Sequence, residues 1–232
     1  MNLGIFLAFA SLPGPSLYAA DVCNPNDLQG PYGFQLSGQT TISGESQPVT
    51  SLGRIVFDGR GVIGGYSSVM FAGLLLGNPV TGTYESHTDC TAAWILQDDS
   101  GAFQHFSGKL TPDLTRLPFR QTDPGGTRGL MQKTSDSCSS GDLQSSYNYS
   151  VSGSTKAMNP GETAHAVSGK GTLDSGGFQV DSDCSVHFSM SVPDSDRPMT
   201  MRGFLVAGGR EILAFETDPG AMVAARLTAK EQ

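Results

Sequence analysis

Apolar and polar residues alternate with a period of two along most of this chain. Tyr32, Phe34 and Leu36 share one parity, as do Ala92, Trp94 and Leu96, and Val186, Phe188 and Met190. Successive side chains of a strand point to opposite faces, so the pattern predicts half-buried strands. The same reading predicts strands through Leu52 to Phe57, Phe103 to Phe106, Leu117 to Gln121 and Thr127 to Gln132. It predicts others through Met199 to Leu205, Glu211 to Glu216 and Met222 to Leu227. Turn signals separate them. Asp58-Gly59-Arg60-Gly61 marks a hairpin, because glycine tolerates positive φ. Asp98-Asp99-Ser100-Gly101 and Pro193-Asp194-Ser195-Asp196 mark two more turns. Almost no segment has helical periodicity, so roughly six to eight short antiparallel strands are expected in each half of the chain.

The halves echo one another. Asp21-Val22-Cys23 with Asp27-Leu28-Gln29 returns as Asp136-Ser137-Cys138 with Asp142-Leu143-Gln144, and Tyr32 and Phe34 return as Tyr147 and Tyr149. Gly82-Thr83-Tyr84 and Asp89-Cys90-Thr91 return as Gly176-Gly177-Phe178 and Asp183-Cys184-Ser185. Gln121-Thr122-Asp123-Pro124-Gly125 returns as Glu216-Thr217-Asp218-Pro219-Gly220. The second copy passes almost directly from Gly171 to Gly176, so residues 64–80 form an apolar insert with almost no counterpart. Its centre is Val69-Met70-Phe71-Ala72-Gly73-Leu74-Leu75-Leu76. It reads either as strand buried by the rest of the first half or as the wall of an apolar cavity. The junction of the halves falls near Lys133-Thr134-Ser135.

Residues 1–20 carry an apolar run from Leu3 to Ala10, too short to span a bilayer, then Pro13, Pro15 and Leu17-Tyr18-Ala19-Ala20, and read as a secretory signal cleaved near Ala20. The expected organisation is a signal at 1–20, a first β-barrel domain at 21–133 with the insert at 64–80, and a second, shorter barrel-like domain at 134–232. No later stretch is apolar enough for a transmembrane segment. The chain is therefore expected to be secreted or periplasmic.

Four cysteines in an exported chain read as disulfides with three possible pairings. If the halves fold equivalently, the echo selects Cys23–Cys90 and Cys138–Cys184. Zinc fits poorly, because Cys-x-x-Cys spacing is absent and no histidine accompanies the cysteines in both copies. The formal net charge is −8, with no cluster of lysine and arginine along the sequence, which argues against nucleic-acid binding. No cofactor or metal is implied.

Candidate chemistry is sparse. Gly59-x-Gly61-x-x-Gly64 matches a dinucleotide-binding string. The chain continues as Val62-Ile63-Gly64-Gly65-Tyr66-Ser67-Ser68, which is β-prone and offers no helix to receive the pyrophosphate. Thr-Asp-Pro-Gly reads as a turn rather than a catalytic or metal motif. Glu85, His87 and Asp89 alternate and would share one strand face as a polar cluster. No residue is assigned a catalytic role. Met70, Phe71, Leu74, Leu76, Trp94, Phe103 and Phe106 are the candidates for lining an apolar pocket, with ordinary core packing as the competing reading.

The run Gly53-Arg54-Ile55-Val56-Phe57-Asp58-Gly59-Arg60-Gly61, with Gly82-Thr83-Tyr84, Asp89-Cys90-Thr91 and Gln121-Thr122-Asp123-Pro124-Gly125, resembles small exported bacterial proteins of uncharacterised function. Their single unit looks like a compact β-barrel, similar to allene oxide cyclase and the calycins. The resemblance covers most of residues 28–133 and is partial over 142–230. It implies an all-β fold, an internally duplicated antiparallel β-barrel. It leaves three functions open: binding a small apolar molecule or a protein partner, an isomerase or cyclase acting on an apolar substrate inside the barrel, and a purely structural surface role.

Overall fold

The computed structural model of the chain describes residues 23–42, 45–123, 125–155, 165–192 and 197–231. The signal predicted at 1–20 lies outside the described residues, as does Pro124. The alternating segments become strands. β1 (Gln29–Ile42), β2 (Glu45–Asp58), β3 (Val62–Phe71), β4 (Leu74–Ser86), β5 (Thr91–Asp98), β6 (Phe103–Lys109), β7 (Arg116–Asp123) and β8 (Thr127–Lys133) pair in sequence order. β8 returns to β1, from Tyr32 opposite Lys133 to Gly38 opposite Thr127, and closes an antiparallel barrel. Closure leaves no unpaired edge in this half.

The apolar insert is not an appendage. It is the end of β3, a two-residue turn and the start of β4. Ala72 and Gly73 both have positive φ (51° and 82°), the turn whose twist suits a hairpin. The Asp58 to Gly61 turn is likewise a hairpin. The Asp58 carboxylate accepts from the amides of Val62 (2.9 Å) and Arg60 (2.7 Å), which hold it below the usual carboxylate range. β3 begins at once, so the Gly59-x-Gly61-x-x-Gly64 string opens a strand and not a helix.

The second half does not close. β9 (Ser146–Thr155), β10 (Ala166–Asp174), β11 (Gln179–Val180), β12 (Ser185–Met190), β13 (Met199–Val206), β14 (Glu211–Glu216) and β15 (Ala221–Ala229) form a seven-stranded sheet in the order β10-β9-β15-β14-β13-β12-β11. This corrects the expectation of a second barrel. In the barrel, most of β3 and the start of β4 bridge β2 to β5. The second half lacks those residues and reaches β11 through a single 3₁₀ turn at Ser175–Gly177. The opening is covered by side chains instead. Val192 lies against Gly169 of β10, where a Cβ would sit 3.4 Å from it, and Phe178 stacks on Phe188 with ring centroids 4.5 Å apart.

The two units pack face to face. Leu52 and Met70 on the outer wall of the barrel meet Phe204, Val206, Leu213, Phe215 and Met222. Gly33 allows this approach, since a Cβ there would lie 2.8 Å from Val206 Cγ1. Polar bonds frame the apolar contact. Thr134 Oγ1 donates to Leu205 O at 2.6 Å, Gln35 Nε2 donates to Ala225 O at 3.0 Å, and Gln132 Nε2 donates to Glu211 Oε1 at 3.1 Å. Glu211 also pairs with Arg226 and Arg116. The structure joins Cys23 to Cys90 and Cys138 to Cys184, leaving no free cysteine. Two disulfides fit an oxidising compartment. Among the described residues no helix is long and apolar enough to cross a membrane.

Candidate functional site

An eight-stranded barrel is just wide enough for side chains to fill. At the disulfide end Tyr32, Phe57 and Tyr84 pack edge to face, with centroids 5.3 Å and 4.8 Å apart. The Tyr32 hydroxyl donates to Leu114 O, and burial pushes its pKa up to about 12. In the middle, Trp94 stacks on Phe106 (5.4 Å) and meets Phe119 edge to face (5.2 Å). These rings, with Phe34, plug the barrel at mid-height.

Beyond that floor the barrel is hollow. A cup of about 290 Å³ opens between the Ala72-Gly73 turn, the β5–β6 turn and the end of β7. Leu36, Val49, Val69, Phe71 and Leu76 supply its apolar wall. Thr40, Ser51, Asn78, Asp98, Gln104 and Gln121 supply polar atoms around it. A narrow recess of about 20 Å³ continues below toward Phe34 and Phe106. Several of the polar groups are already engaged. Asp98 Oδ1 accepts from the Ser100 amide (3.0 Å), the Ser100 hydroxyl (2.5 Å) and the Ala102 amide (3.2 Å), holding the β5–β6 turn. Gln121 Oε1 accepts from Thr127 Oγ1 at 2.7 Å.

The predicted lining residues separate into three groups. Phe71 and Leu76 line the cup. Trp94 and Phe106 belong to the packed floor, with Phe106 touching the recess. Leu74 and Phe103 stand on the rim, each 57% exposed. Met70 is misplaced by the sequence reading: its side chain points outward and is fully buried against the second sheet. The sequence reading misses Leu36 and Val49, and places Val69 in the insert without singling it out. The strand register shows how they could be found, because Val69 pairs with Leu76 and Phe71 with Leu74. Cross-strand partners share a face, so alternate residues of the insert face inward and Met70 cannot.

Glu85, His87 and Asp89 do not form a cluster on one strand face. β4 ends at Ser86, and His87 and Asp89 belong to the turn beyond it. Asp89 Oδ1 accepts from the Thr91 hydroxyl (2.6 Å) and amide (3.0 Å), and these bonds hold its carboxyl below the usual range. Asp183 makes the same turn, accepting from the Ser185 amide at 3.0 Å, and also accepts from the Tyr66 hydroxyl at 2.6 Å. Burial works against its charge. The Tyr66 bond, the Ser185 bonds and the nearby Arg202 outweigh that and leave Asp183 lowered.

The second sheet holds one unexpected group. Glu216, 4% exposed, stands where the sequence echo places Gln121 of the barrel mouth. Burial raises its pKa to about 7, the neighbouring Asp218 adds to the rise, and Arg197 opposes it. Among the described residues, no group of three or more His, Cys, Asp or Glu side chains is arranged to hold a metal ion. No family model matches the chain, and no curated protein matches it.

Proposed function

We propose that this is an exported binding protein whose first unit holds a small apolar molecule in the mouth of its barrel, in the manner of calycin-like and allene oxide cyclase-like barrels. The second unit is read as a shortened copy of the first that braces the wall of the cup from outside. The observation that carries the reading is the cup itself. Val69, Phe71 and Leu76 come from the hairpin that the second half lacks, and they roof an aromatic floor where side chains could have filled the space. Its volume of about 290 Å³ lies at the small end of the usual range for ligand pockets. Apolar walls with polar atoms at the mouth suit a compact hydrophobic body carrying one polar end. Binding is favoured over isomerase or cyclase chemistry because Asp98, the carboxylate at the cup, is occupied in holding its own turn. Export is supported by the two disulfides and by the apolar segment before Asp21. N-terminal sequencing of the secreted protein should begin at Asp21.

The direct test is fluorescence titration of the full-length protein with the neutral probe 1-aminoanthracene, alongside mass spectrometry of a solvent extract. Val69→Phe, which fills the cup without adding charge, should weaken probe binding at least about tenfold while the thermal midpoint holds. Unchanged affinity in that variant, or no binding by the parent protein together with an empty extract, would overturn the reading.

A further inference from the structure

On the outer face of the barrel wall formed by β5 to β8, beyond the contacts that Arg116, Leu130 and Gln132 make with the second sheet, lies a charge arrangement that folding does not explain. Strand register places Ala93 beside Ser107, Ser107 beside Arg120, and Arg120 beside Arg128. The four residues form one outward row across four strands. Ala93, Ser107 and the nearby Pro118 are short, so a trough of about 620 Å³ runs over them, with His87 at its side.

Like charges directly opposite one another on neighbouring strands destabilise a sheet. Elsewhere carboxylates meet some of the arginines, Glu211 meeting Arg116 and Arg226 and Asp218 meeting Arg197. Here no offset exists among the described residues. Arg120 Nε reaches only the Ser107 hydroxyl, at 3.5 Å, and Arg128 makes no hydrogen bond or ion pair. Both guanidiniums are exposed and neither packs on the other unit. In a chain of formal net charge −8, an uncompensated arginine pair above a floor of small side chains is a local exception.

We propose that this trough binds an oxyanion-bearing ligand, with Arg120 and Arg128 as the clamp and Ser107 and His87 as flanking donors. Guanidinium forks match the geometry of carboxylate, sulfate and phosphate oxygens, and charge-assisted bonds are the stronger kind. The site is separate from the cup. Arg120 points outward while the adjacent Phe119 points into the packed floor, so strand backbone lies between the two sites. The oxyanion could belong to a small molecule or to a repeating acidic polymer, because the trough is open along the wall.

The test is calorimetric titration of the full-length protein at low ionic strength with inorganic phosphate, citrate and polygalacturonate. At least one should bind with a Kd below about 1 mM and weaken with added salt. Binding of phosphate or citrate identifies a small-molecule source, and binding of polygalacturonate alone identifies a polymer. The double variant R120A/R128A should lose at least about tenfold in affinity. Its ligand-free thermal midpoint should hold or rise, since removing mutual repulsion relieves the sheet, and the bound anion should raise the midpoint of the parent protein but not of the variant. No binding by any of the three anions, or equal affinity in the double variant, would overturn the proposal.

Discussion

Cys90 in the barrel and Cys184 in the open sheet take the same left-handed backbone conformation, each with φ 67°. Each comes directly after a carboxylate that caps the next residue but one, and each is tied to a cysteine ahead of the first strand of its unit. Tyr32 and Tyr147 anchor the same end of each unit to a loop carbonyl, Leu114 O in one and Gly209 O in the other. Around this shared frame the units diverge. One closes and keeps a hollow mouth. The other stays open, fills its gap with Val192 and Phe178, and is buried on both faces of β14. A local frame of turns and covalent ties is therefore compatible with two different global outcomes. The length of chain between β2 and β5, or between β10 and β12, decides which.

The largest expected effect tests the shared frame. Replacing Cys23 and Cys90 with serine should cost about 4 kcal/mol in urea denaturation, and the Cys138 and Cys184 pair about the same, because loop entropy grows only slowly with length. The linked residues are 67 and 46 apart. A loss under about 1 kcal/mol for either pair would show that the frame matters in only one unit.

Next comes Glu216, where the open sheet buries a carboxyl and the barrel has Gln121. A folded-state pKa raised from 4.5 to about 7 means that the folded protein holds the proton more tightly. The stabilising share is complete below pH 4.5 and is lost as pH rises through about 7. It amounts to about 3 kcal/mol. Stability measured across pH 5 to 8 should fall in the parent protein and stay nearly level in Glu216→Gln. An unaltered pH profile in that variant would assign the loss to another group.

A middle effect separates Asp183 from Asp89, which occupy the same turn. Burial first, and then the bond to Asp183, push the Tyr66 hydroxyl upward, so it stays protonated and donates across the interface. Tyr66→Phe or Asp183→Asn should each cost about 2 kcal/mol, while Asp89→Asn, exposed and bonded only to Thr91, should lower stability much less. Equal losses at the two aspartates would mean that the interface bond contributes nothing.

The smallest effect concerns Gly33 and Asn148, aligned by the echo. An alanine Cβ at position 33 would meet Val206 Cγ1 at 2.8 Å and force the sheets apart, at about 1–2 kcal/mol. Asn148 is exposed and its side chain accepts only from the Thr172 hydroxyl, so Asn148→Ala should fall within about 0.5 kcal/mol. Thermal melts of both variants distinguish a packing glycine from a strand position without such a constraint.

Much of the architecture was legible. Alternation located the strands that carry the core, such as Ala92, Trp94 and Leu96, because a strand side chain needs only its own parity to choose a face. Turn glycines and the echoed aspartates were legible for the same reason: their geometry is satisfied within a few residues. The cup was half legible. The insert 69–76 stands out in the sequence, yet as one continuous apolar run it hides its own parity. Met70 then reads as inward although it faces the second sheet. The polar lining of the cup and the arginine row on the outer wall depend on register across several strands, and neighbours along the chain carry no trace of that.

The sequence by itself determined strand positions and turns, because these depend on contacts a few residues apart. Only the tertiary structure decided that one unit closes and the other does not. Closure depends on whether enough strands exist to return to the first, and on which outer face finds an apolar partner. The same eight residues, 69–76, thus wall a cavity on one side and seal an interface on the other, an outcome settled by distant segments and not by their own composition.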